Sequence, residues 1–254
     1  MRFAAFVQQA RLGPLPWLSL AAAAAFLAVA ALPPDSGMVA VCGSIGLVGL
    51  PRFFELGMQL LSPGRLALDW GLMAAAMMLP LVALPVDHVR RSVLASLRPV
   101  ALAAFLASYL ACWLAAGLVL VPLGMALSAL LPAPVALAAW LLWALAWSAT
   151  PVVQAARNRG HQARRIAAMG RGVPRDCAAY GARVGFNCLQ VCWPWMVVPL
   201  LAGAAHLPAM VAVCAYLFAD RIAPPAKVAW RLPPALETIL GSSATRQPGP
   251  LRAS

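Results

Sequence analysis

"PVALAAFLASYLACWLAAGLVLVP", from Pro99 to Pro122, is a run of 24 residues without a single charged side chain. A helix needs about 20 predominantly apolar residues to cross the hydrocarbon layer of a bilayer. This run has that length, so it predicts a membrane-spanning helix. It decides the fold class of the whole chain if other segments share its character.

Most of the chain does share that character. It is 63% hydrophobic and 10% charged, whereas soluble domains carry about a quarter of charged residues. Apolar runs lie at residues 15–33, 66–86, 99–122, 134–155 and 206–222, and a less apolar sixth at 178–203. We therefore predict an all-α, polytopic membrane protein of about six transmembrane helices. Residues 1–232 are predicted to form a single transmembrane domain and residues 233–254 a disordered cytoplasmic tail. A short glycine-containing stretch at 38–50 is predicted to be an extracytoplasmic re-entrant or interfacial segment.

The basic residues predict the orientation of this bundle. With six spans and both termini in the cytoplasm, 17 of the 19 Lys and Arg residues fall on the cytoplasmic side, and only Arg52 and Arg65 fall outside. Such an asymmetry is the usual determinant of membrane topology. The basic stretch 157–176 has no aromatic residue for base stacking, so we expect its partner to be anionic membrane lipid and predict no nucleic acid partner.

The familiar signatures of enzymes are missing. There is no glycine-rich phosphate loop, no H-E-x-x-H and no plausible Ser/His/Asp set. His88, His161 and His206 fall in loops or at the ends of spans. A solute transporter is disfavoured as well, because no charge pair is evident within the apolar runs. The sequence therefore favours a protein that is not an enzyme.

Three methionines cluster in the stretch "WGLMAAAMMLP", from Trp70 to Pro80. Met73 and Met77 are four residues apart and share one helix face, with Met78 beside them. Methionine fills irregular gaps in packed cores, and its thioether is also a ligand for soft metals. The stretch alone leaves both interpretations open.

A cysteine pair lies in "GFNCLQVCWPWM", from Gly185 to Met196. Cys188 and Cys192 are one helical turn apart and face the same side. They could act as small apolar side chains or bind one metal ion. Because the second and fifth spans run in opposite directions, Met73, Met77, Cys192 and Met196 are expected in the outer half of the membrane. Sulfur ligands without carboxylates favour Cu(I) over harder cations.

Five short motifs resemble a known family in their order and spacing. They are "WGLMAAAMMLP", "SYLACW" (108–113), "WSATPV" (147–152), "GFNCLQVCWPWM" and "FADRIAP" (218–224). Over about residues 66–225 the chain resembles a bacterial family of predicted metal-binding integral membrane proteins, a domain of unknown function that includes copper chaperones for polyphenol oxidases. The resemblance implies a multi-pass protein of the bacterial inner (plasma) membrane that handles copper.

The chain departs from that family at several sulfur positions. The family's C-L-x-x-C pair corresponds to Ala156 and Gly160 here, and the first cysteine of its CCW motif corresponds to Val191. The family's glutamate near the end is Asp220. His161, next to the second missing cysteine, is a possible substitute ligand.

These observations predict a membrane-embedded Cu(I) chaperone that delivers copper to an exported copper enzyme such as an oxidase. Met73, Met77 and Cys192 are the predicted primary ligands, with Cys188, Met196 and Met78 assisting. The alternative is a structural or assembly subunit of a larger membrane complex without its own metal site. In that case Trp140, Trp143 and Trp147, which are spaced to form one helical stripe, would pack against a partner.

Overall fold

A computed structural model describes residues 13–31 and 63–239 of the chain, and this part is helical and contains no strand. The helices are α1 (Leu15–Ala31), α2 (Pro63–Met78), α3 (Ala83–Ser92), α4 (Arg98–Leu130), α5 (Ala133–Ser148), α6 (Pro151–Gly160), α7 (Gly172–Leu201), α8 (His206–Arg221) and α9 (Pro234–Ile239). The predicted interfacial stretch 38–50, Arg52 and the tail from residue 240 lie outside the described residues.

Several of these helices are long and apolar enough to cross a membrane, which confirms the predicted fold class. Within the described residues, α4 with the short turn before it, α7, and α8 with its preceding turn each qualify as single spans. Two bent pairs qualify together: α2 with α3, and α5 with α6. Helix α1, with 17 residues, is apolar but shorter. The count of six spans stays a prediction.

The two bends interrupt runs that the sequence suggested were continuous. The axis turns by 47° between α2 and α3, near Pro80, and by 64° between α5 and α6. At the second bend Thr150 is extended, its hydroxyl accepts a hydrogen bond from the Val153 amide, and Pro151 begins α6. An N-cap threonine followed by proline is a standard start signal for a helix, so this break was readable from the sequence.

The centre of the bundle is α7, which packs along α4 through two glycines. A Cβ on Gly181 would overlap the Phe105 carbonyl oxygen and the Ser108 hydroxyl. A Cβ on Gly185 would lie 3.0 Å from the Cys112 sulfur and 3.2 Å from the Tyr109 carbonyl oxygen. Small residues allow helix backbones to approach this closely. The contact fixes Tyr109 of α4 against the middle of α7.

Helix α2 is locked to α4 by the indole of Trp70. Its Nε1 donates to the Trp113 carbonyl oxygen at 2.6 Å, and a Cβ on Gly117 would overlap its ring. Trp70 is only 1% exposed. This contact fixes the rotation of α2 and therefore determines which of its methionines face α7.

The tryptophan stripe of α5 packs mainly on α7 of the same chain. Trp140 Nε1 donates to the Pro194 carbonyl oxygen at 2.7 Å, and Trp147 Nε1 donates to the Gln190 carbonyl oxygen at 2.9 Å. Because Pro194 has no amide proton, it leaves the Gln190 carbonyl without its usual helical donor, and Trp147 supplies one. Trp143 is 48% exposed. Two of the three indoles therefore have a partner within the chain and do not require another subunit.

The basic stretch is only partly a loop. Arg157 and Arg159 lie in α6, Arg175 lies in α7, and the connection runs over residues 161–171.

The segment after α8 packs back onto α6, where the Asn158 side chain donates to the Ala226 carbonyl oxygen and accepts from the Ala226 amide, at 2.8 and 3.2 Å. The short helix α9 lies within the segment predicted to be a disordered tail, and it contacts α8.

Candidate metal centre

The two cysteines of α7 form the base of a sulfur cluster in the core. Their Sγ atoms are 3.7 Å apart, and Cys188 and Cys192 are 6% and 3% exposed. The one-turn spacing read from the sequence places both thiols on the side of α7 that faces α2 and α4. The pair is thus buried and directed at other sulfur-bearing residues.

The third sulfur comes from Met78, at the end of α2. Its Sδ lies 4.0 Å from Cys188 Sγ. Two sulfurs bound to one ion with bonds of about 2.3 Å, the length found in zinc thiolates, are about 3.7–4.0 Å apart at angles of about 110–120°. The separations from Cys188 Sγ to Cys192 Sγ and to Met78 Sδ therefore match those between ligands of a trigonal or tetrahedral sulfur site. Cys188 therefore lies within contact distance of a second thiol and of a thioether.

The other methionines named from the sequence lie in the buried core of the bundle. Met73, Met77 and Met196 are 1%, 0% and 0% exposed, so their side chains do not face the outside of the bundle. Met196 follows Cys192 by one turn on α7. The thiol of Cys214, on α8, donates to the Met77 carbonyl oxygen at 3.5 Å. Met78 is thus the methionine whose sulfur contacts a thiol of the cysteine pair. The sequence analysis placed it among the assisting ligands.

Tyr109 also belongs to the cluster, although it is not among the ligands predicted from the sequence. Its hydroxyl lies 3.3 Å from Cys188 Sγ and 3.5 Å from the Met78 carbonyl oxygen, and the residue is fully buried. The sequence signal was its place in "SYLACW", one of the family-like motifs. Nothing in that motif indicates which helix the hydroxyl would meet.

Apart from the Tyr109 hydroxyl, the side-chain atoms that meet in the cluster are sulfurs. In residues 13–31 and 63–239, no three His, Cys, Asp or Glu side chains converge to hold a metal ion. Any metal centre here therefore depends on methionine sulfur together with the two thiols. Hard cations prefer oxygen ligands, whereas thiols and thioethers select copper(I).

The positions where the related family has its additional thiols are filled by other groups. Ala156 is fully buried. A Cβ on Gly160 would overlap the Arg221 guanidinium, which donates to the Gly160 carbonyl oxygen at 3.2 Å. His161 is exposed at the end of α6, and partial desolvation and the charge of Arg221 lower its pKa from the ordinary value. The Arg221 guanidinium thus occupies the space beside Gly160, where the family has the second cysteine of its C-L-x-x-C pair.

A buried ion pair stands beside this region. Arg157 Nε lies 2.6 Å from Asp220 Oδ2, and the two side chains are 8% and 3% exposed. Arg157 Nη2 also donates to the Ser148 carbonyl oxygen at 3.4 Å. The sequence did not suggest this pair, because Asp220 lies in the apolar run 206–222 but Arg157 lies beyond the run 134–155, in the basic stretch. The pair joins α6 to α8 across 63 residues of sequence, a contact that only the packing reveals.

Comparison with known protein families gives a match over most of the chain. Residues 67–243 match the model of the family PpoB2, described as copper chaperone. No curated protein and no solved structure matches the chain. The family match covers more than half of the 254 residues and includes α2 to α9 almost entirely. A chaperone binds copper and passes it on, which is a role that requires no catalysis. The chain therefore belongs to the PpoB2 copper chaperone family.

Proposed function

We propose that the protein is an integral membrane chaperone that binds Cu(I) between α2 and α7 and delivers it to an exported copper enzyme. Met78, Cys188 and Cys192 are the central ligands in this proposal, with Met73, Met77 and Met196 around them. The observation that carries the proposal is the contact of three sulfurs, at 3.7 and 4.0 Å, in the buried core. The copper chaperone family supports a copper cargo in general.

The type of ligand favours Cu(I) over a hard divalent ion at this position. Thiolate and thioether sulfurs are soft ligands, which select Cu(I), whereas hard cations prefer oxygen ligands. Cu(I) also accepts the low coordination number that two or three sulfurs provide.

The membrane part of the proposal rests on helix length and charge distribution. The long apolar helices and the two bent pairs provide up to five spans, and α1 would be the sixth. The basic residues favour cytoplasmic termini. In this proposal the protein lies in the bacterial inner membrane, contacts anionic lipid through residues 161–171, and has no enzymatic activity. Its membrane domain extends through residue 232.

Copper binding by purified full-length protein tests the proposal. Under reducing conditions we expect the wild type to bind one Cu(I) per chain in competition with a chromogenic chelator. The variant Cys188→Ser/Cys192→Ser is expected to lose this binding, because hydroxyls are poor ligands for Cu(I). Cys177→Ser is the matched control, since Cys177 is a fully buried thiol on the same helix, three turns away.

Two results would contradict the proposed site. The first is a wild type that binds no copper above the level of Cys188→Ser/Cys192→Ser. The second is equal loss of copper in Cys177→Ser, which would mean that thiols bind copper non-specifically. Transfer of the bound copper to an apo copper oxidase, measured by the recovery of its activity, then tests the delivery step.

A further inference from the structure

One buried hydroxyl lies between the two halves of the sulfur cluster. The Tyr109 oxygen is 3.3 Å from Cys188 Sγ on α7 and 3.5 Å from the Met78 carbonyl oxygen on α2. Its ring is held in place by Phe105, which stacks at 6.4 Å between ring centroids with planes 8° apart. The side chain is fully buried, so water does not compete for the hydroxyl proton.

Both acceptors are available for structural reasons. Met78 is the last residue of α2, and carbonyls in the last turn of a helix lack their usual amide donor. The Val82 amide, four residues on, bonds to the Leu79 carbonyl oxygen instead, at 3.3 Å. The Cys188 sulfur faces Tyr109, Met78 and Cys192. Tyr109 therefore has two acceptors and a single proton to donate.

The balance between these acceptors changes when metal binds. A neutral thiol is a weak acceptor, so the carbonyl oxygen of Met78 competes well for the hydroxyl proton. A metal-bound thiolate carries negative charge, and a hydrogen bond to an ionised acceptor is about twice as strong as a neutral one. The proton should then point at Cys188. The proton that the Cys188 thiol loses on metal binding is released to solvent. Tyr109 keeps its own proton throughout.

We propose that Tyr109 is a positioning residue of the copper site. Its hydroxyl contacts both Cys188 and the end of α2, and in the loaded protein it donates its hydrogen bond to the Cys188 thiolate. This inference rests on the proposed function. It adds a hydrogen-bond donor to a site otherwise made of sulfur, and it assigns to α4 a part in copper binding that acts through Cys188.

The test is Tyr109→Phe in the full-length protein, which removes the hydroxyl and keeps the ring. We expect the Cu(I) affinity to fall by about 10- to 100-fold, the range seen when a hydrogen-bonding partner of a metal ligand is removed. The sulfur-to-copper charge-transfer absorption should shift to lower energy, because the thiolate lone pairs lose a stabilising hydrogen bond. Tyr180→Phe is the matched control, since Tyr180 is also buried and packs against Phe105 at 5.5 Å.

The outcomes separate this inference from the proposed function. A wild type that binds no Cu(I) overturns both. A wild type that binds Cu(I), with Tyr109→Phe equal to it in affinity and in absorption, overturns only the role of Tyr109. If Tyr109→Phe does not fold, resonance Raman spectra of the tyrosine ring in the wild type decide the question. Copper loading should change these bands in the wild type and leave them unchanged in Cys188→Ser.

Discussion

At the scale of single residues, the cysteine pair was predictable and its methionine partner was not. A spacing of four residues on a helix is enough to put Cys188 and Cys192 on one face. Met77 and Met78 are neighbours about 100° apart around α2, so the one that faces α7 depends on the rotation of the whole helix. That rotation is set by Trp70, whose indole bonds to the Trp113 carbonyl oxygen. Sequence spacing within α2 contains no information about this contact.

The rotation of α2 leads to a prediction about the methionines. Met78→Leu should weaken Cu(I) binding about tenfold or more, as expected when a group at a metal site is removed, while the fold is kept because leucine has a similar volume. Met73→Leu/Met77→Leu should have a smaller effect. Chelator competition on both variants measures the difference. If Met73→Leu/Met77→Leu loses more Cu(I) affinity than Met78→Leu, then Met73 and Met77 are the main methionine ligands, as the sequence predicted.

The buried ion pair gives a prediction of stability. Asp220→Ala leaves the Arg157 guanidinium unpaired in the core, which should cost about 3–5 kcal/mol of the free energy of unfolding. Arg157→Met/Asp220→Leu should recover most of the loss, because it removes both charges. Denaturant titration in detergent gives the values. Asp69→Ala is the control and should cost less, since its partner Arg65 is 34% exposed.

At the scale of helices, the apolar runs were predictable from composition, but the breaks were read incompletely. The chain contains prolines at 122, 194 and 199 that remain inside helices, whereas Pro151 begins a new one. The difference lies in the residue before it, because Thr150 caps the new helix with its hydroxyl. A capping residue before a proline in an apolar run therefore predicts a break, whereas the bend near Pro80 lacks this signal because Leu79 precedes that proline without a side-chain cap.

The close contact of α4 and α7 predicts a sensitive position at Gly181. Gly181→Ala should push the helices apart, because the new methyl group would overlap backbone atoms that have no room to move. We expect a lower melting temperature and weaker Cu(I) binding, since the displacement separates Tyr109 from Cys188. Gly172→Ala, at the start of the same helix, is the control, because a Cβ there meets nothing within 4 Å. Equal melting temperatures in the two variants would contradict this packing.

At the scale of the whole molecule, the orientation remains a prediction from charge. A reporter inserted in residues 161–171 should read as cytoplasmic, as should one fused after Ser254. A reporter at the turn between α4 and α5, residues 131–132, should read as extracytoplasmic. The reason is the excess of basic residues on one side of the predicted bundle. An extracytoplasmic C-terminus would rule out six spans with both termini inside.

The placement of both thiols on one helix also bears on how the protein withstands oxygen. Side chains four residues apart on a helix have Cβ atoms about 5–6 Å apart, whereas a disulfide requires about 3.5–4.5 Å. The Sγ atoms touch at 3.7 Å, but a bond between them would require α7 to unwind locally. Two cysteines on separate helices could be joined by a small shift, and copper would catalyse that reaction. The purified protein without metal should therefore keep both thiols reduced in air, which titration of its free thiols measures.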